Sequence, residues 1–121
     1  MANANIDSAL EGTDEIELGT MGRVSKRETS RPVWFVKQED TLFLLPIHGA
    51  TSDWYRNLLT TPTIRVRAGG AEFTSEATAI TDPDRVSDVV EDFRAKYGSD
   101  QVASYYPRPE VAVAAPLGAA H

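Results

Sequence analysis

Cysteine is absent from this 121-residue sequence, which excludes a disulfide framework, a thiolate metal site and a cysteine nucleophile. Histidine is nearly absent: only His48 and the terminal His121 occur. With so few histidines and no Gly-x-Ser-x-Gly setting, a Ser-His-Asp triad is not expected, and no metal site is expected either. Long apolar runs are missing; none approaches the roughly 20 residues that carry a helix across a bilayer. Residues 1–11 lack a basic stretch followed by an apolar one, so they do not read as a secretory signal. The expected compartment is the cytoplasm. Net positive charge is also lacking, at −6 overall. Nucleic-acid binding draws on a basic surface that releases counterions, so no nucleic-acid partner is expected.

What is present is ordinary for a globular domain: 41% hydrophobic and 25% charged residues. The length suits one domain over residues 1–121, with residues 1–12 and 117–121 expected as flexible tails. The charge is unevenly placed. Acids gather in residues 7–17 and 82–92, while Arg23, Lys26, Arg27 and Arg31 fall within nine positions. A local basic cluster on an acidic chain suits a small anionic ligand; the other reading is a solvated loop.

Residues 15–19 read as a first strand, and residues 20–30, without apolar periodicity, as a long loop. Residues 32–36 and 41–47 carry the strongest strand signals, joined by the polar quartet Lys37-Gln38-Glu39-Asp40. The run Leu42-Phe43-Leu44-Leu45 is apolar on both faces, as in a central strand, and Pro46 should end that ladder. Thr51 or Ser52 can cap a short helix over residues 53–59, stopped by Pro62. Ile64, Val66 and Ala68 alternate with Arg65 and Arg67; Gly69-Gly70 then supplies a two-residue hairpin turn to a return strand over residues 71–80. Asp82 and Pro83 open the strongest helix, striped by Val86, Val89, Val90, Phe93 and Tyr97 and closed at Gly98. Residues 111–115 read as a last strand. Short hairpins force antiparallel pairing, so the expected class is mainly β or α+β: an antiparallel barrel of about six strands with one short and one longer helix.

Three segments could carry chemistry. Gly22-Arg23-Val24-Ser25-Lys26-Arg27, followed by Arg31, combines a tight-turning glycine with cations and a hydroxyl suited to phosphate or carboxylate. Pro46-Ile47-His48-Gly49-Ala50 runs into the short helix, whose N-terminal N–H groups favour an anion. There Trp54 could flank a planar ring or simply pack the helix, and His48 could be structural, solvated or part of the site. Tyr97, Tyr105 and Tyr106 could stack on a substrate or donate a proton, although Tyr97 also continues the helix stripe.

Taken in order, these segments resemble the deazaflavin-dependent nitroreductase family. Gly22-Arg23-Val24-Ser25 with Arg31-Pro32-Val33 is similar to its GRKSG segment and the Arg and Pro-Val that follow. Asp53-Trp54-Tyr55-Arg56-Asn57-Leu58 is similar to its HPxWYxNL stretch, and Thr61-Pro62-Thr63-Ile64-Arg65-Val66 with Gly69-Gly70 to its NPxVxVxxGG strand and turn. Arg108-Pro109-Glu110-Val111 resembles the start of its last strand. Lys26 stands where the family has glycine, Val24 where it has a basic residue, and Ser52-Asp53 where it has His-Pro. The resemblance implies a split β-barrel that binds the deazaflavin coenzyme F-420 and transfers hydride to a small-molecule acceptor such as a quinone, nitro compound or enone. It implies that Arg23, Ser25, Lys26, Arg27 and Arg31 hold the cofactor's phosphate and acidic tail. It likewise implies that Pro46, Gly49, Ala50 and Trp54 line its ring and linker, and that Tyr105 or Tyr106 serves catalysis at the substrate; His48 counts beside Gly49 as a cofactor-binding candidate. A homodimer sharing the site would also follow. The alternatives are flavin mononucleotide (FMN) on the same barrel, or a barrel that binds a cofactor without turnover.

Overall fold

The computed structural model describes residues 10, 13, 15–39, 41–46, 49–105 and 110–116. Hairpins organise it. Gly69 and Gly70 both adopt positive φ, 53° and 83°, as a two-residue turn matched to strand twist requires. They join β5 (Thr63–Ala68) to β6 (Ala71–Glu76). Strand β1 (Ile16–Met21) pairs antiparallel with β5 on one side and with β2 (Glu28–Val33) on the other. The resulting order is β2-β1-β5-β6. A second sheet runs β3-β4-β8-β7, from β3 (Val36–Gln38), β4 (Thr41–Leu44), β8 (Ala112–Pro116) and β7 (Thr78–Ile80). Among the described residues no strand pairing closes one sheet onto the other, so this is an antiparallel α+β fold of two sheets with no closed barrel.

The expected fold class is therefore observed, with differences in its parts. Eight shorter strands replace about six, because residues 71–80 break at Ala77 into β6 and β7. The expected long loop over residues 20–30 is a hairpin: β1 runs to Met21, which pairs with Glu28 at the start of β2. Alternation did not reveal β2 because this edge strand is exposed on both faces except at Val33. Pro32 is tolerated there because an edge strand need not donate on its free side. The expected strand over residues 32–36 divides at Trp34-Phe35, where the chain passes from one sheet to the other.

Two helices match expectation: α1 (Asp53–Thr60) and α2 (Pro83–Tyr97). Asp82 caps α2 by accepting from the Asp84 N–H, and Gly98 follows its last turn. A third, α3 (Ser99–Tyr105), was not expected; over residues 99–104 it buries Val102 alone, too little for a periodic signal.

Sheet β3-β4-β8-β7 is buried on both faces. Leu42, Leu44, Val113 and Ala115 meet Leu18, Ile64 and Val66 of the other sheet, with Trp54, Tyr55 and Leu58 of α1. Leu10, inside the expected N-terminal tail, is buried in the same core. Ile80 and Ala112 face the α2 stripe of Val86, Val89, Val90 and Phe93. The Trp34-Phe35 crossover is held by the end of α2. The Tyr97 hydroxyl donates to the Phe35 carbonyl at 2.9 Å and accepts from its N–H at 3.1 Å. Lys96 Nζ donates to the same carbonyl at 2.9 Å and lies 3.4 Å above the Phe35 ring. Trp34 stacks on Tyr97 with ring centres 4.1 Å apart.

Candidate functional site

The hairpin joining β1 to β2 builds the site. Gly22 N–H donates to the Arg27 carbonyl at 2.8 Å, and Lys26 N–H to the Gly22 carbonyl at 3.0 Å. A Cβ on Gly22 would stand 2.3 Å from Ser25 Oγ, so a side chain there would force Ser25 to move. Lys26 takes a left-handed φ of 61°, a conformation uncommon for a side-chain-bearing residue. It does so at the position where the resembling family has glycine.

Between this loop, β2 and α1 lies a cleft of about 360 Å³, within the range of small-ligand sites. Arg23, Ser25, Thr29, Ser30 and Arg31 line it from one side, Trp54 and Asn57 from the other. Arg23 is anchored: Nη1 donates to Asn57 Oδ1 at 2.8 Å, and Nη2 lies 3.6 Å from Asp53 Oδ1. Arg31 is different. It is exposed and has no hydrogen bond or ion pair among the described residues. The cations of the adjoining outer sheet face are committed. Arg67 pairs with Glu17, Glu28 and Glu72 at 3.1–3.3 Å, and Arg65 with Glu28 and Glu72 at 3.2 Å. Charge-assisted bonds donated to Glu28 and Glu72 hold the Arg67 guanidinium above its ordinary value.

Of the expected cofactor residues, the structure brings Arg23, Ser25, Arg31 and Trp54 to one cleft. Lys26 and Arg27 are exposed at the hairpin and do not line it. Pro46 and Gly49 are buried outside its lining, and a Cβ on Gly49 would stand 2.7 Å from Glu110 Oε1. Ala50 lies in the 3-10 turn Gly49–Thr51, and Tyr105 ends α3. His48 and Tyr106 lie outside the described residues, as do residues 1–9 and 117–121. Thr20, Thr29, Ser30, Asp53 and Asn57 were not singled out. Asn57 could have been, since it shares the buried i, i+3, i+4 face of Trp54 and Leu58, where a polar side chain needs a partner. No group of three or more metal-ligating side chains occurs among the described residues.

A second hollow, about 410 Å³, lies against α2 and is lined by Pro83, Val86, Ser87, Val90, Arg94 and Glu110. Its cation, Arg94, already pairs with Glu91. Size favours this hollow slightly, but charge distinguishes the cleft, where Arg31 has no counter-ion among the described residues.

Tyr55, on the buried face of α1, has its phenol pushed up from the usual 10.0, first by desolvation and then by the Glu110 carboxylate. An unfolded chain releases this proton at the ordinary value and the folded chain later. The stabilising contribution is therefore intact below pH 10.0 and is lost as pH rises through the raised value. Alkaline unfolding followed by phenolate absorbance should show this loss in the wild type and a smaller one in Tyr55→Phe.

These features define a two-sheet antiparallel α+β protein with a basic, partly aromatic cleft at a sheet edge. Residues 7–115 match the family model described as "Uncharacterized protein conserved in bacteria (DUF2255)", and the chain belongs to that family. Solved structures share the fold. An F420-H2 dependent reductase, FDR-A, is 16% identical over 84% of this chain and 93% of its own, with a TM-score of 0.65. HutZ, the heme storage protein of Vibrio cholerae, is 13% identical over 94% and 87%, with a TM-score of 0.70. A Bacteroides thetaiotaomicron protein described provisionally as conferring 5-nitroimidazole antibiotic resistance is 14% identical over 95% and 79%, with a TM-score of 0.74. At such identities the likeness is one of fold. No curated protein matches the chain by sequence. No helix among the described residues is long and apolar enough to cross a membrane.

Proposed function

We propose that the cleft binds a flavin-type redox cofactor, a deazaflavin of the F-420 kind, and that the protein is an oxidoreductase. The observation that carries this reading is Arg31, a cation with no partner among the described residues, lining a cleft beside Trp54 on a chain of net charge −6. The donor set fits the group. Arg31 and Arg23 offer charge-assisted bonds to phosphate or carboxylate, and the Ser25, Thr29 and Ser30 hydroxyls can add neutral ones. Lys26 and Arg27, exposed at the hairpin, would hold an acidic tail leaving the cleft. Trp54 offers an apolar edge to a planar ring. Pro46, His48, Gly49 and Ala50 would contact the cofactor where it extends beyond this lining.

A reduced deazaflavin, when bound, supplies hydride to an activated acceptor such as a quinone, nitro compound or enone. This chain's residues would bind, orient and exclude water, and Tyr105 or Tyr106 would hold the proton given to the product. FDR-A supports the deazaflavin by its fold. FMN is favoured by one observation: only Arg23 and Arg31 of the five expected basic-loop contacts are cations lining the cleft, enough for a single phosphate. A homodimer belongs to the same reading, with a second copy covering the exposed β2.

Titrating the protein with F-420 and with FMN, following ring fluorescence, tests this directly. Saturable binding of F-420, with reduced F-420 oxidised by a quinone or nitroarene, is expected. Saturation without turnover would leave a cofactor-binding domain rather than an enzyme. Binding of neither would remove the proposal.

A further inference from the structure

The polar contacts around Arg23 are unusual in being made from both ends of one helical turn. Asn57 is only 6% exposed. Its Nδ2 donates to Thr20 Oγ1 at 3.3 Å, and its Oδ1 accepts from Arg23 N–H at 3.2 Å and Arg23 Nη1 at 2.8 Å. A single carboxamide thus ties α1 to β1 and to the hairpin loop, and fixes both the backbone and the guanidinium of Arg23. Four residues earlier on the same helix face, Asp53 accepts from Nη1 through its carbonyl at 3.4 Å and places Oδ1 3.6 Å from Nη2. The Asp53 side chain is 75% exposed, so this second tie is screened and readily exchanged.

We infer that Asn57 and Asp53 set the anion affinity of the cleft in opposite directions. Asn57 is a positioning residue that holds the Arg23 guanidinium at the cleft wall. Asp53 is a built-in competitor, a carboxylate that an incoming phosphate or carboxylate group must displace from Arg23. The remaining N–H groups of Arg23 have no acceptor among the described residues and are open to that anion. The inference rests on the cleft being an anion site, as proposed above, but not on which cofactor fills it.

Both residues follow from local chemistry. A buried carboxamide left without partners would cost free energy, so Asn57 is held by the very bonds that orient Arg23. A carboxylate at the first turn of α1 also complements the helix dipole, which gives Asp53 a reason to stay near the guanidinium. Removing Asp53's charge relieves competition, whereas removing Asn57's oxygen releases Arg23.

The probe is inorganic phosphate, titrated at low ionic strength while the Arg23 Nε–H signal is followed by NMR. Asp53→Asn should bind phosphate about two- to five-fold more tightly, as expected for an exposed ion pair. The gain should shrink as salt is added. Asn57→Ala should bind about tenfold more weakly and lose the ordered Arg23 signal. Because Asn57 is buried, Thr20→Val serves as a milder second variant, loosening the carboxamide without touching Arg23. A merely structural role predicts no gain for Asp53→Asn. Unchanged or weaker phosphate binding in that variant overturns the inference. So does a wild-type Arg23 signal that ignores phosphate, or wild-type affinity in folded Asn57→Ala. If the variants behave as expected while neither F-420 nor FMN binds, the inference stands and the cofactor proposal alone fails.

Discussion

Arg31→Ala is expected to weaken binding of F-420 or FMN by about ten- to a hundred-fold, the equivalent of one charge-assisted hydrogen bond. Stability should hardly change. Arg31 sits on edge strand β2, exposed and without a partner among the described residues, so its removal strands no buried group. Surface substitutions of that kind stay within about 0.5 kcal/mol. Arg27→Ala should cost far less affinity, since Arg27 is at the hairpin and outside the cleft lining. Added salt should narrow the difference between wild type and Arg31→Ala, as screening weakens an exposed contact. Equal affinities for wild type and Arg31→Ala would take the cleft out of the account.

The largest effect on stability is expected from Phe93→Ala, about 3–5 kcal/mol, a substantial share of a typical 5–15 kcal/mol. Phe93 is fully buried between α2 and the outer face of β3-β4-β8-β7, in the core with Val36, Leu45, Ile80 and Ala112. Its ring also lies 5.7 Å from that of Tyr97. Losing it leaves a cavity that α2 cannot close without disturbing Tyr97, which holds both polar groups of Phe35 at the crossover into β3. Urea unfolding should show a lower midpoint with unchanged slope. β2 carries Arg31 and runs directly into that crossover, so weaker cofactor binding should accompany the stability loss.

The parts of the fold that bury one face were legible. Ile64, Val66 and Ala68 announced β5, and the valine stripe announced α2, because burial of one face writes a period into the residues. Gly69-Gly70 announced its turn because few residues accept positive φ twice. Strand β2 was not legible: Thr29, Ser30 and Arg31 line the cleft, Glu28 pairs with Arg65 and Arg67, and a strand polar on both faces leaves no alternation. The site divides the same way. Arg23, Ser25 and Arg31 were visible as a basic cluster, and Trp54 as an aromatic at a helix start. Which cations line the cleft was not visible, because that depends on the hairpin pairing Met21 with Glu28, which turns Arg31 inward and leaves Lys26 and Arg27 at the tip. That Asn57 meets Thr20 was not visible, because the contact joins residues 37 apart in the chain.

Where the ligand sits decides the account. An amide NMR titration with F-420, repeated with FMN, would map that place. The expected result is that shifts concentrate at Thr20, Arg23, Ser25, Arg31, Trp54 and Asn57. Shifts confined instead to Pro83, Val86, Ser87, Val90 and Arg94 would place the ligand in the hollow beside α2 and contradict it.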